Sequence, residues 1–230
     1  MISQSLRQAF VIHRRRYGDT SLLLEFFTPD EGRIGVIAKG AATARGERKA
    51  ILQPFVPLLA SWAGRGELKV LRQLETASSP AALSGKNLYC GFYLNELIMR
   101  LLKRYDPIPD LFSLYDHSLL QLANGQDAEN ILRYFELGLL QALGYEPLLD
   151  REAPGGQAIE QHRIYWYKVE AGPVSTRSEN SPALHGETLL ALARGQTLNQ
   201  KQKHEALRLM RYILGFYLGD KPLKSRELFA

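Results

Sequence analysis

Five short apolar runs, each rich in strand formers and too short for a typical helix, fill the first 80 residues. They fall at 9–13 (AFVIH), 21–28 (SLLLEFFT), 33–39 (RIGVIAK), 55–62 (FVPLLASW) and 68–74 (LKVLRQL). Pro29-Asp30-Glu31-Gly32 is a hairpin turn signal, and Gly64-Arg65-Gly66 joins the last two runs. In the third run Ile34, Val36 and Ala38 alternate with Arg33, Gly35 and Ile37, a partial period of two. A small-residue, basic loop (GAATARGERK, 40–49) separates the third run from the fourth. Five strands with no long helix among them predict a small closed barrel.

The same segment carries the whole charge excess. Residues 1–80 hold 12 Lys+Arg against 7 Asp+Glu, while residues 81–230 hold 17 of each, so the net charge of +5 belongs to the barrel. A basic β module on a neutral body suits a polyanion. Among five-stranded barrels the OB-fold is the one most often met with such charge, and an SH3-like barrel is the other closure. Ordinary surface charge is the competing explanation of a surplus this size.

From residue 84 the apolar spacing becomes helical. Leu88, Phe92, Leu97, Ile98, Leu101 and Leu102 trace one face that ends before Pro107. Residues 111–123 continue with Phe112, Tyr115, Leu119 and Leu122, and Gly125 breaks the pattern. A third helix follows, with Ile131, Phe135, Leu139, Leu140 and Leu143, closed by Gly144. Residues 146–182 are irregular, broken by Pro147, Pro154, Gly155, Gly156, Gly172, Pro173 and Pro182, with one short strand at 162–169 (HRIYWYKV). Residues 185–219 return to helix, where Thr197 and Gln200 fit a capping box. The expected architecture is α+β: a barrel domain at 1–80 and a mainly helical domain at 81–230 with a small irregular insertion.

The chemistry that these residues exclude is extensive. There is no phosphate-binding glycine loop, no dinucleotide fingerprint, no nucleophile elbow and no HExxH. The five histidines (13, 117, 162, 185, 204) are scattered, and the single cysteine, Cys90, lies among apolar residues as a buried small hydrophobe. Asp106 and Asp110 bracket Pro107 and Pro109 and read as a turn with helix-capping carboxylates rather than as a hydrolytic pair. No catalytic residue, metal or cofactor is expected, and the chain reads as a non-enzyme. No apolar stretch approaches the length of a membrane span, and no secretory leader is visible beside Arg7 and Arg14–Arg16. One cysteine fits a reducing compartment, so a cytoplasmic, nucleoid-associated location is expected.

One ordered set of motifs is specific. LGDKPLKSRELF at 218–229 resembles the C-terminal signature of the bacterial RecO recombination-mediator family. GDTSL (18–22), TPDEGR (28–33), VIAKG (36–40), LQPF (52–55), YLNEL (93–97), RYFEL (133–137) and LGY (143–145) agree in order. The resemblance implies an N-terminal OB-fold and a C-terminal helical domain. It implies binding of single- and double-stranded DNA, annealing of complementary strands, and action with RecR and commonly RecF to displace single-strand-binding protein and load RecA. It also implies contact with the acidic, Phe-ended tail of single-strand-binding protein. Many family members carry a four-cysteine zinc site near 150–182; this chain has no cysteine there and resembles the zinc-free branch. Packing must then hold that segment, with Tyr165, Trp166 and Tyr167 as candidates.

OB barrels grip strands with a basic groove and aromatic platforms. The basic candidates are Arg14, Arg15, Arg16, Arg33, Lys39, Arg45, Arg48, Lys49, Arg65, Lys69 and Arg72, with Lys39, Arg45, Arg48 and Lys49 grouped around one loop. Their contacts would be to phosphates, so binding would ignore base sequence and weaken with salt. Phe10, Phe26, Phe27, Phe55 and Trp62 read as core, and Tyr17 as the exposed platform. For an acidic, Phe-ended tail the candidate pocket is Arg133, Leu143, Tyr145 and Phe216; the competing assignment has Arg133 paired with Glu129 or Glu136. A pure protein adaptor, whose barrel does not touch DNA, is the alternative function.

Overall fold

The computed structural model describes residues 5–43, 50–153 and 155–229. Two compact units are present, Met1–Asn124 with Lys224–Ala230, and Gly125–Leu223. The strand-to-helix change near residue 80 therefore falls inside the first unit.

That unit is built on a closed barrel of β1 (Arg7–Tyr17), β2 (Ser21–Thr28), β3 (Gly32–Ala38), β4 (Leu58–Ala63) and β5 (Leu68–Thr76). The order β1-β2-β3-β5-β4 closes through a β1–β4 pair, and only β3–β5 is parallel. This is the OB-fold topology expected from the strand pattern. Val11, Leu24, Phe26, Ile34, Val36, Leu58, Ala60 and Trp62 fill the interior. Gly32 closes the β2–β3 turn at φ +65°, and a Cβ there would fall 2.1 Å from the Asp106 carbonyl oxygen, so no other residue fits without movement.

The strands alternate, so their outer faces also find a partner. Phe10 and Phe27 are paired across β1–β2 and face outward. They pack against Phe112 and Tyr115 of α2 (Pro109–Ala123), at centroid distances of 5.1–5.8 Å. The buried Tyr115 hydroxyl donates to Asn95 Oδ1 at 2.6 Å on α1 (Gly85–Leu101). Truncating Phe27 would cost about 3–5 kcal/mol through this second core layer. A 3-10 turn, Lys224–Phe229, closes on α1: Glu96 accepts from the Lys224 and Ser225 backbone N–H groups and the Ser225 hydroxyl. Burial alone would raise the Glu96 carboxyl, but these bonds hold it below its ordinary value.

The second unit contains α3 (Ala128–Ala142), a three-stranded sheet, α4 (Gly186–Ala193) and α5 (Gln200–Leu218). The sheet order is β7 (Gly172–Val174), β6 (Ile164–Lys168), β8 (Ala183–His185). Asp127 caps α3 through the N–H groups of Glu129 and Asn130, and Gly144 follows its end at φ +80°. Glu205 is a buried tie between α5 and the start of α4, accepting from the His185 backbone N–H at 3.0 Å and the Thr188 hydroxyl at 2.6 Å. His185 Nδ1 lies 2.6 Å from its other oxygen.

The structure departs from the sequence pattern at several points. Strand β1 runs on through Arg14–Tyr17, where the arginine run suggests a loop. The irregular segment holds two strands rather than one, β6 and the three-residue β7 that carries Pro173, and a third, the three-residue β8, follows directly after Pro182. Tyr165 and Tyr167 are core, but Trp166 lies on the opposite face of β6 and is only part-buried, as a period of two requires. The capping box is Asn199 with Gln202, not Thr197 with Gln200, and two helices separated at Gly195 replace one. Asp106 and Asp110 cap nothing: α2 begins with Pro109 after Ile108, with Asp110 in its first turn.

Candidate nucleic-acid interface

Strand β1 is buried from Ala9 to Ile12 and exposed from His13 to Tyr17. The change coincides with a bulge between Val11 and His13. Beyond it Arg14 opposes Leu24, Arg15 opposes Leu23, Arg16 opposes Leu22 and Tyr17 opposes Ser21. Opposed residues share a face, so Arg14 and Arg16 lie on the Leu22–Leu24 side and Arg15 and Tyr17 on the other. The run is thus split over two faces of one exposed strand end. Arg14 is steadied by donating to the Leu52 carbonyl at 3.3 Å.

Lys39 joins this group. Leu22 pairs with Ala38, and the Ala42 N–H donates to the Thr20 carbonyl at 2.9 Å, which places the loop after β3 beside the β1–β2 turn. Lys39 is exposed there. Arg72 is exposed too, in the bulge where β5 slips against β4, two residues beyond the Ile37–Val70 pair. Tyr17 is 44% exposed, while Phe10, Phe26, Phe27, Phe55 and Trp62 are all buried, so Tyr17 alone of these six rings is open to stack a base.

Other candidates are placed elsewhere. Arg33 is turned inward: its guanidinium donates to the Met99 carbonyl beside the Glu25–Arg104 ion pair. Burial lowers its pKa, with Glu25 acting in the opposite sense. Arg33 is therefore a packing residue of the first unit and not part of the exposed group. Arg65 sits in the β4–β5 turn, and Lys69 donates to the Gly64 carbonyl and lies 5.5 Å from the Tyr105 ring centroid. These two make a separate cluster near the start of β5. Arg45, Arg48 and Lys49 lie outside the described residues.

Tyr105 belongs to that second cluster, and no local pattern marks it. It is 40% exposed and has φ +59°. Its N–H donates to the Arg33 carbonyl and its hydroxyl to the Glu67 carbonyl. Arg7 likewise belongs to no motif; it pairs with Glu31 over the Trp62 ring.

The partner-tail set divides in the same way. Arg133 is 5% exposed and its guanidinium holds Glu136 at 2.6 Å, so it supplies no cationic rim. Tyr145, 46% exposed, stacks on Tyr217 at 4.3 Å, and Phe216 is 58% exposed at the edge of Tyr217. Leu143 is part-buried at the end of α3. Phe216 does share a site with cations, but they are Lys168 and Arg211, with which it lines a cavity of about 590 Å³. Among the described residues, no group of His, Cys, Asp and Glu is placed to hold a metal ion, and no helix is long and apolar enough to cross a membrane.

Family models agree with this architecture. The model for recombination protein O N terminal matches residues 1–80, and that for recombination protein O C terminal matches residues 82–227. The chain is 52% identical over 224 residues to the DNA repair protein RecO of Methylococcus capsulatus, covering 97% of this chain and 92% of that one. It is 49% identical to the RecO of Nitrosococcus oceani, covering 97% and 92% of the two chains, and 40% identical to that of Vibrio atlanticus, covering 99% and 94%. With an OB-fold barrel followed by helices, and with that likeness over nearly its whole length, the chain belongs to the RecO family of DNA repair and recombination proteins.

Proposed function

We propose that this RecO-family chain is a DNA-binding recombination mediator that anneals complementary strands. In this reading it works with RecR and RecF to load RecA onto DNA coated by single-strand-binding protein. It does so as a binding protein, without catalysing a reaction. The observation that carries the DNA reading is the exposed cationic end of the barrel, where Arg14, Arg15, Arg16, Tyr17 and Lys39 meet around the β1–β2 turn. OB-folds use that turn, the β4–β5 turn and the β2–β3 face for oligonucleotides.

The mechanism follows from charge and geometry. Guanidinium groups on both faces of one strand end neutralise phosphates, and a backbone held by its phosphates leaves its base edges open to a second strand. Lowering the repulsion between two backbones is all that annealing asks of a protein surface. An acidic, Phe-ended tail of single-strand-binding protein suits the cavity lined by Lys168, Arg211 and Phe216, where two cations flank an apolar floor. Location in the cytoplasm at the nucleoid belongs to the same reading.

The experiment is fluorescence anisotropy of a labelled oligo-dT and of a duplex across a salt series. Affinity should fall steeply with salt for both. An absence of binding at low salt would favour the adaptor, in which the barrel meets only protein. Titration of an acidic peptide ending in Phe against wild type and Phe216→Ala tests the tail reading, with binding expected to weaken about tenfold or more in the variant.

A further inference from the structure

The second unit has a cavity of about 240 Å³ that neither the DNA nor the tail reading uses, and its lining is acidic and aromatic. Tyr145 and Glu146 border it from the loop after α3, Val169, Glu170 and Ala171 from the β6–β7 turn, and Tyr217 from α5. We propose that this cavity binds the guanidinium of an arginine side chain presented by a partner protein.

Four observations carry this. First, Glu146 and Glu170 are exposed at the rim, and neither has an ion-pair partner among the described residues. Second, the Tyr145–Tyr217 rings are stacked with an interplanar angle of 23°, which offers a flat aromatic face. A planar guanidinium stacks on such a face and bonds carboxylates in a two-pronged way, which a spherical ammonium does not. Third, Tyr167 is only 2% exposed as a residue yet lines the cavity, and no described residue bonds its hydroxyl, which leaves that group open to a ligand there.

Fourth, Glu170 holds a backbone conformation that its side chain disfavours. The β6–β7 turn pairs Lys168 with Gly172, and Glu170 within it has φ +65°. Glycine or asparagine suits that position, and a glutamate there carries strain on the order of 1 kcal/mol. Its charge also pushes up the Tyr217 hydroxyl, after burial, which fits a carboxylate held close to the stacked rings.

The test is an NMR titration of the full chain with N-acetyl-arginine amide, the capped lysine analogue and capped citrulline, the neutral isostere. Saturable shifts of the Gly144, Ala171 and Gly172 amides are expected with the arginine probe. Citrulline should bind about fivefold or more weakly, and so should the lysine probe. Glu170→Gly relieves the backbone and should raise the melting temperature while weakening the arginine probe about fivefold, which separates binding from folding. Equal binding of citrulline or lysine, tighter binding of uncapped arginine, shifts mapping away from these amides, or unchanged affinity in Glu170→Gly would each overturn the proposal.

Discussion

The arginines of β1 and Arg133 of α3 look alike in the sequence, and the fold treats them in opposite ways. Arg14, Arg15 and Arg16 stand in solvent past a bulge that ends the buried part of their strand. Arg133 lies 5% exposed against Glu136 on its own helix. A cation in solvent keeps its hydration and is available to a phosphate. A buried one has lost that hydration and is committed to the carboxylate that offsets the loss. The lesson is that a basic residue near a plausible site becomes a binding residue only where the packing leaves its charge accessible.

The largest effect should come from breaking the buried pair. Arg133→Ala takes the guanidinium away from the buried Glu136 carboxylate and should destabilise the second unit by about 3–5 kcal/mol in urea unfolding. Arg133→Met with Glu136→Leu should restore most of it. A stable Arg133→Ala protein that had lost only partner binding would break the comparison.

Glu205 should come next. Burial opposes its charge, but bonds from Thr188 and His185 hold the carboxyl below its ordinary value. Its stabilisation is therefore present above the unfolded carboxylate value and lost as pH falls through the lower folded one. Glu205→Gln should cost about 1–3 kcal/mol at pH 7, and the gap from wild type should narrow in acid. A gap that widened in acid would reverse the sign of this account.

A smaller effect should follow at the C-terminal turn. Glu96→Gln weakens three bonds to Lys224 and Ser225 and should cost about 1–2 kcal/mol, with faster amide exchange at residue 225. Unchanged exchange there would mean that the turn is held by Phe229 against Tyr89 instead.

Much of the barrel is legible in the amino-acid sequence itself. The PDEG turn and the alternation of Ile34, Val36 and Ala38 announce it, and closure follows from strand number. Tyr17 separates from the core aromatics because it follows charged residues. The fate of Arg33 is not legible there, because it depends on Met99, Glu25 and Arg104 meeting it from elsewhere in the chain. The end of β1 is hidden because three arginines in a row look like a loop, although pairing to β2 extends a strand regardless of its charge. Thr197 and Asn199 each have a Gln three residues on, so the spacing fits both; the bond that Asn199 accepts from the Gln202 N–H decides. Strands of three residues leave too little periodicity to detect.

Solvent-exposed cations at the end of the barrel, and not the inward ones, are expected to meet DNA. The most direct measurement is the salt dependence of oligo-dT affinity for wild type, an Arg14→Ala/Arg15→Ala/Arg16→Ala variant and Arg33→Ala. The expected result is a slope of log affinity against log salt that drops by about 2 in the triple variant, with stability changed by less than about 0.5 kcal/mol. Arg33→Ala should keep the wild-type slope and lose stability. An unchanged slope in the triple variant, or a reduced one in Arg33→Ala, would contradict the account.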